Sequence, residues 1–168
     1  MNSTLLVNVS RFILLLAIQI IIFNNMNFLG FIIPLPYILF IILYPVNGNK
    51  SGLLFASFLL GLTMDLFLNS GGIHATACLV LAYMRPSIFK FSFGVSYEYQ
   101  TIKINDVLTP ERFSFILLSV IIHHMIMFLL EAFQVSFFLD ILIRTLLSAV
   151  FTIISCIIII YLIKPNKR

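Results

Sequence analysis

The sequence predicts an all-α integral membrane protein, a bundle of six transmembrane helices. Three observations carry that prediction. Of the 168 residues, 61% are hydrophobic and only 10% are charged, against about 45–50% and about 25% in an ordinary soluble domain. Mean hydropathy is +1.14. The apolar residues fall into runs near the roughly 20 residues that a bilayer-crossing helix needs, separated by short polar turns. A soluble globular domain, a disordered tail and a disulfide-stapled secreted module are thereby excluded. With roughly 5–8 residues per connection, six spans use up the chain and leave no room for a soluble catalytic domain. Runs such as Ile157-Ile158-Ile159-Ile160 do not alternate, which excludes the lumen-facing pattern of a β-barrel.

Each span has its own markers. The first covers about 5–23, with Arg11 snorkelling or marking its inner boundary. It meets Asn24-Asn25 where a signal peptide would carry a small-residue cleavage site, so an uncleaved span is expected. The second covers about 31–46, with Pro34 and Pro36 in its first turns, where a missing N–H costs least, and closes at Pro45-Val46-Asn47-Gly48-Asn49. The third, about 52–68, ends at the tight turn Asn69-Ser70-Gly71-Gly72. The fourth, about 73–91, carries Arg85, Pro86 and Lys90 in its second half. Residues 92–110 form the one substantial aqueous loop. Thr109-Pro110-Glu111 then starts the fifth span, about 111–133, with Thr as N-cap, Pro at the first helical position and a carboxylate in the first turn. The sixth covers about 138–163, before Lys164-Pro165-Asn166-Lys167-Arg168.

The net charge of +4 is a topology signal, not a nucleic-acid signal, because the basic residues sit at the ends of apolar runs. With the N-terminus inside, Arg11, Lys50, Arg85, Lys90, Lys103, Arg112, Lys164, Lys167 and Arg168 lie on inner segments and only Arg144 lies outside. Both termini are therefore expected in the cytoplasm. Spans three and four are short enough that a re-entrant hairpin at Gly71-Gly72 is the structural alternative. Cys78 and Cys156 lie inside apolar runs and read as small hydrophobes, with no spacing for a disulfide or a metal.

Ionisable residues inside spans are candidate functional sites by default. Asp65 either grips a neighbouring helix or lines a cavity, or it reaches water or caps the fourth span. His123 and His124 lie past the middle of the fifth span, and His124 shares a helix face with Glu131 two turns on. Two turns are about 10 Å, too far for these two to chelate one ion; interior hydrogen bonding is the expectation. Small residues form a stripe on the sixth span: Thr145, Ser148, Ala149, Thr152, Ser155 and Cys156. Ser57 and Gly61 repeat the device in the third. Lipid supplies no hydrophobic drive for helix association, so such stripes mark close packing, within the chain or with a partner's helix. No Walker A, GxSxG, HExxH or serine-triad pattern is present, no cofactor is called for, and no enzyme is expected.

The chain resembles the rod shape-determining MreD family. The block Gly61-Leu62-Thr63-Met64-Asp65-Leu66-Phe67, followed by Gly71-Gly72-Ile73-His74-Ala75 and Ala82-Tyr83-Met84-Arg85-Pro86, looks like that family's pattern across spans three and four. Arg11, Pro34-x-Pro36-Tyr37, Leu43-Tyr44 and Leu130-Glu131-Ala132-Phe133 are similar as well, and Ser96-Tyr97-Glu98-Tyr99-Gln100 looks like the family's Bacteroidetes branch. The likeness covers nearly the full length. His124 departs from it, standing where some relatives carry an acidic residue. The resemblance implies a multi-pass, non-enzymatic subunit of the bacterial inner membrane and of the elongation complex. Its partners would be an MreC-like bitopic protein and, directly or indirectly, MreB, the polymerase RodA and a penicillin-binding protein, together with membrane lipid and no nucleic acid. It also implies a fold similar to the six-helix substrate-binding subunits of ECF vitamin transporters, and a small-molecule-binding transporter subunit is the alternative function. The single alanine of Leu14-Leu15-Leu16-Ala17-Ile18-Gln19 lacks the Ala-xxx-Ala docking pattern of such subunits.

Overall fold

The computed structural model describes residues 3–26, 32–94, 108–133 and 138–163. Six α-helices are present among them: α1 (Ser3–Ile21), α2 (Leu39–Leu43), α3 (Lys50–Leu68), α4 (Ile73–Phe93), α5 (Pro110–Ala132) and α6 (Phe138–Ile163). Four helical runs are long and apolar enough to cross a membrane: α1 with the turn that follows it, α3, α5 and α6. α4 has comparable length, 21 residues, but carries His74, Arg85 and Lys90. At about 1.5 Å per residue, α3 and α4 each extend roughly 30 Å. They pack on each other as a helical hairpin with arms of similar length.

Local signals set most boundaries. Asn49 caps α3, its Oδ1 accepting from the N–H of Ser51 at 2.9 Å and of Gly52 at 3.3 Å. Thr109 caps α5 through the N–H of Arg112, with Pro110 next. The turn from α3 to α4 uses three left-handed or near-left-handed positions. Asn69 supplies one (φ 53°), and Gly71 (φ 64°) and Gly72 (φ 97°) adopt the others without the Cβ penalty. Of the loop expected over 92–110, residues 92–93 belong to α4 and 110 to α5; residues 95–107, residues 134–137 and the terminal basic cluster lie outside the described residues.

The second span differs from expectation. A helix over 31–46 was predicted; the chain instead runs irregularly to Leu35, makes a 3-10 turn at Pro36–Ile38 and only then forms the five-residue α2. Pro34 and Pro36 are the cause. Each removes an N–H and pushes the preceding residue, Ile33 or Leu35, out of the helical region, so the two cannot share a helical first turn. Leu35 has φ −124° and ψ 61°. Extended and 3-10 chain also rises faster than α-helix, so a short irregular stretch still covers much of the body's height.

This segment is the centre of the molecule. Every residue from Pro34 to Leu43 is buried. α3, α4, α5 and α6 pack in chain order, each on the next, while the 3-10 turn and α2 lie against α1, α3, α4 and α6. α1 covers the segment from one side with Leu15 buried, and it exposes Leu5, Leu6, Ile13, Leu14 and Ile21. Phe89 and Phe115 lock α4 to α5, with ring centroids 4.1 Å apart.

α3 and α4 approach most closely at Gly61. A Cβ placed there would lie 2.5 Å from Ala75 Cα and 2.6 Å from Ala75 N, and closer still to the His74 carbonyl. Gly61→Ala is therefore expected to lower stability by about 1–3 kcal/mol. Thermal unfolding in detergent followed by far-UV circular dichroism checks it, with Gly71→Ala, whose Cβ would meet nothing within 4 Å, separating clash from turn strain.

Candidate functional site

The polar residues of the bundle gather at two places. The first is the α3–α4 turn. Asp65 lies near the end of α3 and is 6% exposed. Its Oδ1 accepts from Ser70 Oγ at 2.6 Å and from the backbone N–H of His74 at 2.9 Å, and Oδ2 accepts from the backbone N–H of Ala75 at 2.9 Å. The His74 ring adds Nδ1, 3.2 Å from Oδ1 and 2.9 Å from Ser70 Oγ. Since the Ser70 hydroxyl proton goes to Asp65, Nδ1 of His74 carries a proton and donates. A carboxylate from one helix thus caps the next, satisfying donors that the first turn of α4 leaves open and facing the positive end of its dipole. Both readings of Asp65 converge: it is buried, it grips the neighbouring helix, and it does so as a cap.

The second place is around the proline-broken segment. Irregular backbone in an apolar body survives only where every N–H and C=O finds a partner. Gln19 of α1, wholly buried, donates through Nε2 to the carbonyl of Pro34 at 3.2 Å and to Asn24 Oδ1 at 3.0 Å. Its Oε1 accepts from the Tyr37 N–H at 3.4 Å. The N–H of Leu35 donates to Thr152 Oγ1 of α6 at 3.0 Å. Thr152 Oγ1 also lies 3.1 Å from Nε2 of His124, whose Nδ1 lies 2.9 Å from the Val120 carbonyl. With a neutral ring, donors and acceptors alternate in one way only: the Leu35 N–H donates to Thr152, the Thr152 hydroxyl donates to Nε2, and Nδ1–H of His124 donates to Val120. Both ring nitrogens of His124 are then satisfied.

His123, its sequence neighbour, faces elsewhere. Its Nε2 lies 3.0 Å from the hydroxyl of Tyr37, with Cys78 Sγ 3.8 Å from that hydroxyl and 3.7 Å from Nε2. The rings of Tyr37 and His74 have centroids 6.2 Å apart and share no hydrogen bond, so the two polar clusters touch without forming a continuous relay. Among the described residues no three His, Cys, Asp or Glu side chains come together as a metal site.

At the far end of the broken segment the carbonyls of α2 point at cations. Arg11 Nη1 donates to the Leu43 carbonyl at 2.9 Å. Arg85 Nη2 donates to the carbonyls of Ile42 and Tyr44, and its guanidinium lies 4.8 Å over the Phe89 ring. Cations at a helix C-terminus satisfy orphan acceptors and oppose the dipole.

The small-residue stripe turns inward. Thr145, Ser148, Ala149, Thr152 and Cys156 are buried, and Ser155 sits at its edge with Oγ bonded to the Phe151 carbonyl at 2.8 Å. Ser57 is buried and Gly61 meets α4, so this pair also packs within the chain. As a docking face for another protein's helix the stripe is unavailable: α5 and the broken segment already occupy it. His124 and Glu131, placed on one helix face by their spacing, part company. Glu131 is exposed and lines an end cavity of 380 Å³ with Asn69, Ser70, His74 and Arg144. Gln19, Tyr37, His74 and Arg85 had no place among the sequence-derived candidates. Gln19 carried a usable signal as the one amide within an otherwise apolar run. Tyr37 was marked only through the Pro34-x-Pro36-Tyr37 resemblance, and its partner His123, 86 residues away, was not legible.

No protein-family model matches the chain, and no curated protein and no solved structure is significantly similar to it.

Substitutions at two positions probe the site. Thr152→Val keeps the volume but strands the Leu35 N–H and the His124 acceptor, and is expected to cost about 2–4 kcal/mol, while Thr152→Ser keeps the hydroxyl and costs less than about 1.5 kcal/mol. Asp65→Ala strands the first turn of α4 and is expected to cost about 2–4 kcal/mol. Denaturation midpoints in detergent for the three variants check both statements.

Proposed function

We propose that the chain is an MreD-type subunit: a non-catalytic scaffold of the bacterial inner membrane, with both termini cytoplasmic, that couples an MreC-like bitopic protein and MreB to the lateral peptidoglycan synthases. One observation carries the reading. Several of the residues on which the family resemblance rests help to build this fold. Gly61, Asp65, Gly71, Gly72 and Ala75 make the α3–α4 clamp. Pro34, Pro36 and Tyr37 make the broken segment, and Arg11 and Arg85 close its end. Shared residues at positions that dictate backbone geometry are what a shared fold requires.

The same geometry supports action by contact. Asp65, Thr152, Gln19 and His124 are taken up in holding backbone, and the outward faces of α1 and α6 offer large apolar side chains. On α6 these include Leu146, Val150, Ile154 and Ile158. With the small residues turned inward, a partner's helix would meet these larger ones.

The test is made in the native host. Depletion of the protein is expected to convert rods to spheres, and cysteines at Val150 or Ile154 are expected to cross-link to the MreC-like protein. Cysteine at the buried Ser148 is expected not to. Unchanged cell shape together with no cross-link at either outward position would sink the proposal.

A further inference from the structure

We infer that the cavity beside the α3–α4 turn binds a phosphoethanolamine group, a primary ammonium joined to a phosphate. The cavity, of 380 Å³, lies between that turn, α5 and α6. Ser70, His74, Glu131 and Arg144 line it, over apolar walls from Leu35, Met127 and Phe128. A volume of this size, mostly apolar with a few placed polar groups, is that of a small-ligand site. A second cavity, of 280 Å³, shares Phe128, Glu131 and Arg144 and adds Asp140.

His74 gives the cavity a fixed polar group. The residue is 7% exposed, and its Nδ1 is committed to Asp65 at 3.2 Å and Ser70 at 2.9 Å. With Nδ1–H donating there, Nε2 of the neutral ring is an acceptor on the opposite edge. Nε2 makes no hydrogen bond among the described residues. Unlike the unpartnered Nδ1 of His123, which is fully buried, it remains open to solvent, on the cavity that the ring lines. Asp65 therefore orients an acceptor that needs a donor before anything binds. Around it, Glu131 and Asp140 are exposed carboxylates and Arg144 is an exposed guanidinium. Among the described residues none of the three forms an ion pair.

The mixture of groups selects the ligand. A simple anion would meet Glu131 and Asp140, and a simple cation would meet Arg144. A quaternary ammonium has no N–H to give to Nε2 of His74. A primary ammonium donates to Nε2 and to Glu131, while its phosphate takes the guanidinium of Arg144. A lipid headgroup and the free compound both carry this group.

The full chain, purified in neutral detergent, is titrated with phosphatidylethanolamine and phosphatidylcholine, and separately with free phosphoethanolamine and free phosphocholine. Binding is read by native mass spectrometry and by thermal midpoint. At least one ethanolamine compound is expected to bind one to one, to raise the midpoint, and to bind roughly tenfold tighter than its choline counterpart. Binding of the lipid alone makes a headgroup the source; binding of free phosphoethanolamine shows that the group suffices. Glu131→Gln and Arg144→Gln, both at exposed positions and with folding verified by circular dichroism, are each expected to lower that affinity roughly tenfold. Lys90→Gln, outside the cavity lining, leaves it unchanged. The inference is overturned if neither ethanolamine compound binds, if the choline compounds bind equally well, or if either cavity variant has no more effect than Lys90→Gln.

Discussion

The structure depends on one constraint: a stretch of non-helical backbone lies in the middle of an apolar body, and its polar groups have no water to turn to. An unmet amide or carbonyl in such surroundings costs on the order of several kcal/mol. Pro34 and Pro36 create that stretch, and side chains from three surrounding helices satisfy it. Gln19 of α1 serves Pro34 and Tyr37, Thr152 of α6 serves Leu35, and Arg11 of α1 and Arg85 of α4 serve the last carbonyls of α2. The helices are held in place around the segment as much as by one another. A bundle of lipid-like surfaces gains little from apolar contact alone; here specific hydrogen bonds supply the register.

The α3–α4 hairpin applies the same economy to a helix end. The open N–H groups of α4 are met by Asp65, a carboxylate already fixed on α3, so one side chain closes the turn and joins two helices. Gly61 lets the backbones approach below the turn, and Gly71 and Gly72 allow the reversal itself. With so few charged residues available, Asp65, Arg11 and Arg85 each do a structural task at a helix terminus. That use of charge fits a molecule that works through its outer surface. α1 and α6 present long apolar faces, and the turn at 44–48 joins a cavity lined by Lys50 and Arg85 to an apolar groove.

Much of the frame was legible because its causes are local. Apolar runs, Asn49, Thr109-Pro110 and the Asn69–Gly72 turn each act within a few residues, and the ends of α3, α4, α5 and α6 fall within about two residues of where those signals put them. The site was legible in part. Asp65 stood out as an ionisable residue in an apolar run, and its neighbours Gly71 and Gly72 lie within ten residues. Thr152 and His124 stood out as polar residues on the expected faces. What they bond to did not, because the Leu35–Thr152 contact spans 117 residues. His123 and His124 show the limit well: adjacent in sequence, they serve different partners, Tyr37 and Thr152, for reasons that lie wholly in how α5 sits against the others.

By itself, then, the sequence determined the helical class, the long apolar helices, the asymmetry of positive charge and the places where the chain must turn. These follow from hydropathy, capping and backbone sterics, which need no tertiary context. Only the tertiary structure decided that the second segment is a broken strand of chain at the centre and that the small-residue stripe of α6 faces inward. In a soluble protein the alternation of polar and apolar residues would have announced which face is buried. Here the outer faces and the interior are equally apolar, so periodicity carries no such signal, and the direction a stripe faces is settled by long-range hydrogen bonds and close packing alone.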